Sequence, residues 1–322
     1  MKAIALTPRG LVELKKITPN PKKDNVLVDV LAVGLCGSDI KKIMEPDAYS
    51  VQYPIVLGHE VCGKDKNGKN VAILPFLRYK TSGQNKKSTS FAYLESIGKT
   101  VPGGFQEKIE IPEANLFPLA QHLSTIDATL ADPLAVVLHG LSKIKQTVGS
   151  KIGIVGDGTI ALLSAQILSK NSLTHLFGKN SRSLKLSEIY GAKPVKTNDM
   201  GKYRSQFDII VEAVGTPEAL ENSFDLAKPA GTVLVFGVYP TNQISLGMRT
   251  PFYKELSIIG CNSYGYSEGV NEFEKALTML SKREVDAKQM ITHVIPFIDF
   301  LKIKDIHSFK QKENVIKMVM IW

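Results

Sequence analysis

Cysteine is scarce in this 322-residue chain, which has only Cys36, Cys62 and Cys261. An odd number of widely separated cysteines argues against a disulfide-bonded scaffold and leaves the thiols free for other roles. No segment approaches the ~20 consecutive apolar residues that cross a bilayer. The start, MKAIALTPRG, lacks the apolar core of a signal peptide. These absences predict a cytoplasmic protein with no membrane partner.

Positive charge is in excess, but it is not gathered in one place. The formal net charge is +9, and the lysines stand in short groups such as PKKD, KDKNGKN and NKKS rather than in an arginine-rich stripe. This scatter is typical of a solvated surface and argues against a nucleic-acid partner. A secondary interpretation is that the field attracts small anions, including phosphates.

The order of predicted strands and helices divides the chain. Up to about residue 119 the segments are short and strand-like, as in VLVDVLAVG and GGFQEKIEIP. The apolar residues between Ser124 and Lys145 fall at helical spacing, and strands and helices then alternate to about Asn262. Such alternation predicts an α/β domain whose parallel sheet is covered by helices on both faces.

A glycine-rich turn stands in the first strand-to-helix connection of that domain. In KIGIVGDGTIALLSAQIL the strand ends at Gly156, and Gly158, Thr159, Ile160 and Ala161 complete G-x-G-x-x-A before an apolar helix. Small residues let the backbone approach a pyrophosphate, whose charge then lies at the helix N-terminus. The pattern predicts a doubly wound, Rossmann-type dinucleotide-binding sheet, and the alternative is an ordinary strand-to-helix turn.

The end of the next strand bears on the choice of dinucleotide. NAD-binding sheets carry an acidic residue here for the ribose hydroxyls, whereas a small residue followed by cations leaves room for the 2′-phosphate of NADP. The sequence has Gly178, with Lys179 and Arg182 beside it. It therefore favours NADP over NAD, unless the glycine merely ends the strand and both cations face solvent.

Two separate segments supply candidate metal ligands. Cys36 lies in VGLCGSDI and His59 in YPIVLGHE, and a thiolate and an imidazole are two of the three protein ligands that a catalytic zinc ion takes. The third candidate is Asp132 in LADPLAVVLHGL, which could instead be a helix N-cap before Pro133. The alternatives for the first two are a buried thiol and a core histidine.

Several motifs occur together in an order that is characteristic of one family. GLCGSDI, YPIVLGHE, GGFQEKIEIPEANL, DPLAVVLHGL, GDGTIALL and FDIIVEAVG cover nearly the whole chain, and the sequence resembles the zinc-containing medium-chain alcohol and polyol dehydrogenases. CGSDI, GGFQE and KELSIIGCNSY are most similar to sorbitol and galactitol-1-phosphate dehydrogenases. The resemblance implies a β-rich, GroES-like catalytic domain over residues 1–133, a Rossmann domain over 134–262 and a return segment, 263–322, that completes the catalytic domain.

Carried over by position, the resemblance implies one catalytic zinc ion. Cys36 and His59 would be its ligands, with Asp132 in the place of a common glutamate, and Glu60 would either bind the metal or support it. Asp39 would accept the other ring hydrogen of His59, which fixes the tautomer of the imidazole and raises its basicity.

The resemblance also implies a path for the substrate proton. Ser38 would hydrogen-bond the substrate hydroxyl and pass its proton toward solvent. Lys41 stands in the region where many relatives have a histidine that relays this proton. The lysine could take over the relay, meet a substrate phosphate, or simply be an exposed side chain.

The lobe that holds a structural zinc ion in many relatives has no cysteine here. The corresponding region is LPFLRYKTSGQNKKSTSFAYLESIGKT, which predicts that the protein has no structural zinc. We expect the lobe either to be held by its own packing, through Phe76, Tyr79, Phe91 and Tyr93, or to be partly mobile.

Together these features predict a zinc-dependent oxidoreductase. It would transfer a hydride between NADP(H) and a secondary alcohol or ketone of a polyol, sugar or sugar phosphate. Two alternatives remain: a zinc-free, NADPH-dependent medium-chain reductase, and a non-catalytic nucleotide-binding sensor whose enzyme site has decayed.

The strand LSIIGC bears on assembly. It is predicted at the edge of the nucleotide-binding sheet, where unpaired backbone groups favour pairing with a second copy of the chain. We therefore expect a homodimer or a higher homo-oligomer, with a dimer through this edge as the first expectation.

Overall fold

The structure, a computed structural model, describes residues 1–16, 18–78, 91, 94–145, 149–239, 243–303 and 305–322. The chain divides into two compact units, Met1–Ala135 with Ser263–Trp322, and Val136–Asn262. The first unit is therefore built from two stretches of chain that flank the second in sequence.

The strands of both units are short, and most belong to two large sheets. They are β1 (Lys2–Thr7), β2 (Gly10–Lys15), β3 (Asn25–Gly34), β4 (Ile55–Val56), β5 (Glu60–Lys64), β6 (Asn70–Ile73), β7 (Lys108–Pro112), β8 (Leu116–Pro118), β9 (Lys151–Val155), β10 (Leu173–Gly178), β11 (Lys193–Lys196), β12 (Phe207–Glu212), β13 (Ala227–Val235), β14 (Ser257–Gly260), β15 (Tyr266–Ser267), β16 (Val270–Asn271), β17 (Ile291–Pro296) and β18 (Lys317–Ile321).

The helices are also short. They are α1 (Gly37–Met44), α2 (Thr125–Ala128), α3 (Ala131–Ser142), α4 (Thr159–Leu168), α5 (Ser181–Ile189), α6 (Pro217–Leu226), α7 (Arg249–Tyr253), α8 (Glu272–Ser281), α9 (Ala287–Met290), α10 (Phe297–Phe300) and α11 (Ile306–Lys312), with 3₁₀ turns at Glu113–Asn115 and Thr197–Tyr203. In the part of the chain that the structure describes, none of them has the length and apolar character of a membrane-crossing helix.

The second unit is a six-stranded parallel sheet in the order β11-β10-β9-β12-β13-β14. The strand order reverses between β9 and β12, which is the point where doubly wound sheets bind nucleotides. The central strands are buried, with Ile152 and Ile154 on β9 fully inaccessible, as expected for a sheet covered on both faces. This topology confirms the predicted Rossmann-type sheet, and β14 lies at its edge as the sequence predicted.

The first unit is β-rich. Its main sheet runs β17-β18-β3-β5-β6-β8, with β7 also paired to β3, and a smaller sheet runs β2-β1-β4. The last strand, β18, lies beside β3, and β3 leads directly into the segment that carries Cys36. The mixed architecture of a β-rich unit and a parallel α/β unit confirms the predicted fold class.

The helical segment around residues 124–145 is interrupted. The sequence pattern predicts one helix, but the structure has two, α2 and α3, with a break at Thr129 and Leu130. Pro133 has no N–H to donate to the carbonyl of Thr129, so a continuous helix would lose a hydrogen bond here. The break places Asp132 in the first turn of α3.

An aromatic cluster occupies the region of the cysteine-free lobe. The rings of Phe76 and Phe91 lie 6.0 Å apart, and both pack against the fully buried Tyr264, at 5.3 and 6.1 Å. Tyr79 and Tyr93, which the sequence also assigned to this packing, lie outside the described residues. Aromatic contacts to Tyr264, in the stretch Ser263–Trp322 of the same unit, thus hold the described part of the lobe.

Candidate active site

The turn between β3 and α1 orients the first two site residues. Cys36 is the N-cap of α1. Its backbone N–H donates to Oδ2 of Asp39 at 3.2 Å, and the N–H of Asp39 donates to the carbonyl of Cys36 at 3.1 Å. These reciprocal bonds fix the thiol and the carboxylate relative to each other through one helical turn.

His59 lies next to that carboxylate. Its Nδ1 is 3.5 Å from Oδ1 of Asp39, whose side chain is completely buried. Burial by itself raises the pKa of Asp39, but the charge of His59 and its hydrogen bond outweigh this and lower the pKa below its ordinary value. For His59 burial acts in the opposite direction and lowers the pKa, but Asp39 and Cys36 together hold this pKa well above its usual range. The contact through Nδ1 leaves Nε2 as the ring nitrogen for a metal ion.

Three potential ligand atoms converge at this point. The sulfur of Cys36, a ring nitrogen of His59 and a carboxylate oxygen of Glu60 all lie within 4.8 Å of one another. Sulfur, imidazole nitrogen and carboxylate oxygen are the donors that zinc takes in catalytic sites. The residues present therefore fit a zinc ion, and a carboxylate already stands behind the histidine, as metal-ligating histidines usually require.

Glu60 also has a cationic partner that the sequence reasoning missed. Its Oε2 accepts a hydrogen bond from Nζ of Lys317, and both side chains are almost completely buried. The same ammonium group lies 3.4 Å from the carbonyl of Leu35. Strands β5, β3 and β18 are neighbours in the sheet, which brings these two distant residues together. The one signal in the sequence is a lysine inside the apolar strand VIKMVMIW.

Asp132 is buried, and its carboxylate has a specific partner. The hydroxyl of Tyr264 donates to Oδ1 of Asp132 at 2.7 Å. Burial raises the pKa of Asp132 to about 6; His59 opposes this shift and Glu60 reinforces it. Because α3 begins at Ala131, Asp132 is not its N-cap residue. Asp132 does not belong to the group of three close ligand atoms, but it is near enough to interact electrostatically with two of them.

Ser38 and Lys41 follow Cys36 on α1. They are three residues apart, so they lie on the same side of the helix, and both are half-buried. The next residue, Lys42, donates from Nζ to the carbonyl of Gly98 at 2.9 Å and so ties α1 to a neighbouring loop. Of the residues predicted around the metal, the structure brings together Cys36, His59 and Glu60, with Asp39 beside the histidine.

The glycine-rich turn has the predicted form in the second unit. Gly156 follows β9 with a φ of +124°, a conformation that side chains rarely adopt, and Gly158 is the N-cap of α4. A Cβ at Gly158 would meet nothing within 4 Å, so the start of the helix is open. Thr159 and Ile160 are half-buried in its first turn, and Ala161 is buried beneath it. An open helix N-terminus behind a glycine turn fits a pyrophosphate.

The end of β10 also has the predicted residues. Gly178 is buried there, and Lys179 and Arg182 are exposed beyond it. The structure adds a neighbour that the sequence reasoning passed over, because the carboxylate of Asp157 accepts hydrogen bonds from the backbone of this segment.

A second buried carboxylate orders the adjacent loop. Oε1 of Glu212, at the end of β12, accepts hydrogen bonds from the N–H groups of Val214 at 2.7 Å and Gly215 at 2.8 Å. Its Oε2 accepts one from the hydroxyl of Tyr239 at 3.1 Å. Burial and this carboxylate raise the pKa of Tyr239. Glu212 therefore shapes the loop that follows β12 at the point where the strand order reverses.

Comparison with known proteins gives consistent matches. The family model of the alcohol dehydrogenase GroES-like domain matches residues 22–121, and that of zinc-binding dehydrogenases matches residues 180–282. Galactitol 1-phosphate 5-dehydrogenase of Escherichia coli K12 is 28% identical, covering 95% of this chain and 96% of that protein. Sorbitol dehydrogenase of Halalkalibacterium halodurans is 25% identical, covering 98% of each. A solved structure from Sinorhizobium meliloti 1021 that is bound to NADP has a TM-score of 0.86 at 23% identity, covering 100% of this chain and 99% of that one.

These matches agree with the geometry of both units. One family model falls on the β-rich unit, and most of the other falls on the parallel α/β unit. The full-length relatives are named as polyol dehydrogenases. The chain belongs to the zinc-type medium-chain alcohol and polyol dehydrogenases, a family of oxidoreductases.

Proposed function

We propose that this protein is a zinc-dependent dehydrogenase that uses NADP(H) in preference to NAD(H) and acts on a secondary alcohol of a polyol, sugar or sugar phosphate. The observation that carries the proposal is the convergence of Cys36, His59 and Glu60 within 4.8 Å, with the carboxylate of Asp39 behind the imidazole.

One catalytic zinc ion would be held by these three residues. Asp132, which interacts electrostatically with His59 and Glu60, would complete the set directly or through water. When bound, the ion supplies Lewis-acid stabilisation of the negative charge that develops on the substrate oxygen. Asp39 holds the imidazole in one orientation and tautomer, and Cys36 contributes the thiolate.

The chain's own residues would handle the proton. Ser38 on α1 would accept a hydrogen bond from the substrate hydroxyl and pass its proton outward, and Lys41 lies on the same side of the helix one turn later. The balanced reaction converts a secondary alcohol and NADP⁺ to a ketone, NADPH and a proton. The hydride goes to the nicotinamide, and the hydroxyl proton goes to solvent.

The dinucleotide would bind to the second unit. Its pyrophosphate would lie at the N-terminus of α4, which Gly156 and Gly158 leave open. The exposed cations Lys179 and Arg182 support a preference for the 2′-phosphate of NADP. The likeness to galactitol 1-phosphate 5-dehydrogenase and sorbitol dehydrogenase supports polyols and their phosphates as the substrate class.

The test is turnover with and without chelator. The purified chain is incubated with NADP⁺ or NAD⁺ and a panel of polyols, sugars and sugar phosphates, and reduced dinucleotide is followed by its absorbance. We expect oxidation of at least one polyol, faster with NADP⁺, lost on treatment with a zinc chelator and restored by added zinc. Activity that survives complete metal removal would indicate the zinc-free reductase instead. Dinucleotide binding without turnover across the panel would indicate a sensor.

We also propose that two copies pair along β14. This strand is one of the two edge strands of the parallel sheet. It carries Ile258 at 45% exposure, and Phe252 and Tyr253 on α7 are 73% and 71% exposed. An exposed strand edge beside exposed apolar side chains favours association with a second copy. We expect a mass in solution about twice that of one chain, and Ile258→Asp should shift it toward the monomer. A monomeric wild type would contradict the proposal.

A further inference from the structure

The residue between the two glycines of the nucleotide-binding turn makes a contact outside that turn. Oδ2 of Asp157 accepts hydrogen bonds from the backbone N–H of Lys179 at 2.6 Å and of Asn180 at 2.7 Å. These are the two residues directly after β10. The carboxylate in the turn after β9 therefore binds the backbone at the end of β10. This is the region where dinucleotide-binding sheets recognise the adenosine ribose.

The carboxylate fills the space beside Gly178. A Cβ placed on this glycine would lie 2.7 Å from Cβ of Asp157 and 2.9 Å from its Oδ2. A side chain at residue 178 is therefore excluded while Asp157 keeps this position. An acidic residue at this strand end is what NAD-binding sheets use to bind the ribose hydroxyls. Here the negative charge in this region comes from Asp157, which follows β9, and not from a residue at the end of β10.

This arrangement has a consequence for the choice of dinucleotide. A ribose 2′-hydroxyl can donate a hydrogen bond to a carboxylate, whereas a 2′-phosphate is repelled by it. The backbone amides of Lys179 and Asn180 are donors that a phosphate could use, but Asp157 already accepts from both. Asp157 is half-buried, so part of this residue is accessible to a ligand. The effect of Asp157 is opposite to that of the cations Lys179 and Arg182.

We infer that Asp157 is a specificity-determining residue that limits the preference for NADP over NAD. It does so by placing a carboxylate at the ribose end of the site and by occupying two amides that would otherwise bind the 2′-phosphate. The inference rests on the proposed function, because it takes the dinucleotide to bind at α4. The glycine pattern indicates only where the dinucleotide binds. The inference adds a residue, Asp157, that shifts the preference toward NAD.

The test compares affinities for the two dinucleotides. NAD⁺ and NADP⁺ are titrated by calorimetry into the full-length protein and into Asp157→Asn and Asp157→Ser, which remove the charge but retain a hydrogen-bond acceptor for the backbone amides. Hydrogen bonds to charged groups contribute enough that the ratio of the two affinities should shift toward NADP by at least about tenfold in both variants. In Lys179→Ala/Arg182→Ala the ratio should shift in the opposite direction.

The matched control removes one negative charge elsewhere on the same unit. Asp225 lies near the end of α6, pairs with Arg204 on the surface and precedes the start of β13, whereas Asp157 follows the end of β9. Asp225→Asn should leave the ratio unchanged, and an equal shift in this variant would overturn the inference as a general charge effect.

The remaining outcomes separate the two proposals. If the wild type binds neither dinucleotide, the proposed function fails. If it binds both and the folded Asp157 variants, checked by circular dichroism, keep the wild-type ratio, the function stands and the role of Asp157 is overturned. A shift toward NAD in these variants overturns it as well.

Discussion

Replacing Cys36 by serine or His59 by alanine is expected to remove both the zinc ion and the alcohol oxidation. Each change deletes one of three close ligand atoms, and two protein ligands are too few for a catalytic zinc site. Lewis-acid stabilisation of a developing charge amounts to several kcal/mol, so kcat should fall by at least about a thousandfold. Plasma mass spectrometry should give about one zinc per wild-type chain and almost none in either variant.

The matched control is another cysteine. Cys261 lies in the second unit, is buried, and its sulfur donates to the carbonyl of Val136 at 3.8 Å. Cys261→Ser keeps a donor at that place and should retain the full zinc content. Zinc that persists in both Cys36→Ser and His59→Ala would mean that the metal is bound elsewhere. Two zinc ions per wild-type chain would contradict the prediction that the protein has no structural zinc.

Replacing Asp132 by asparagine is expected to lower zinc binding less than replacing Cys36 or His59. Asp132→Asn can keep the hydrogen bond from Tyr264 but removes the negative charge from the neighbourhood of His59 and Glu60. We expect zinc affinity to fall by roughly ten- to a hundredfold, the range found when groups that support metal ligands are changed. Unchanged affinity would remove Asp132 from the metal site and leave it as a buried partner of Tyr264.

Replacing Lys317 by methionine is expected to cause the second large effect, on folding. The ammonium group and the carboxylate of Glu60 are both almost fully buried, so removing the cation leaves an uncompensated charge in the core. Breaking a buried ion pair in this way costs about 3–5 kcal/mol. Urea unfolding, with a chelator present so that no metal ion compensates Glu60, should show this loss. Trp322 is the only tryptophan and stacks on Phe297 in the first unit, so its fluorescence reports on that unit.

Two further variants separate the ion pair from ordinary packing. Glu60→Gln combined with Lys317→Met removes both charges and should recover most of the lost stability, because no buried ion then remains. Lys302 pairs with Asp299 on the surface of the same unit, and Lys302→Met should cost no more than about 1 kcal/mol. If the free energy of unfolding of Lys317→Met lies within about 1 kcal/mol of the wild-type value, water reaches the Glu60 carboxylate.

The fold could be predicted from the sequence because its signals are local. Alternating apolar strands and helices and the turn at Gly156 lie within a few residues of one another, and each element's type follows from its own pattern. The break between α2 and α3 was not predicted, because the apolar spacing continues across it, although Pro133 cannot donate to the preceding turn. The strand β11, with only four residues and two lysines, has no such pattern and was missed.

The site was only partly predictable because its supporting contacts are long-range. Cys36 and His59 stand in recognisable motifs, but the partner of Glu60 is Lys317, 257 residues away, and Asp132 is held by Tyr264, 132 residues away. No local pattern encodes such pairs. Asp157 was missed for a different reason: it occupies a variable position of the glycine motif, and its role depends on the closeness of Gly178 in space.

The discontinuous first unit determines the order in which this chain can fold during synthesis. Residues Val136–Asn262 are continuous and contain all six strands of the parallel sheet, so the ribosome releases a complete folding unit before translation ends. The β-rich unit still lacks β18, which pairs with β3 and carries the cation that neutralises Glu60. Until that last strand emerges, the carboxylate next to His59 has no buried counter-charge. Assembly of the metal site therefore has to wait for the synthesis of β18, which comes after that of the whole parallel sheet.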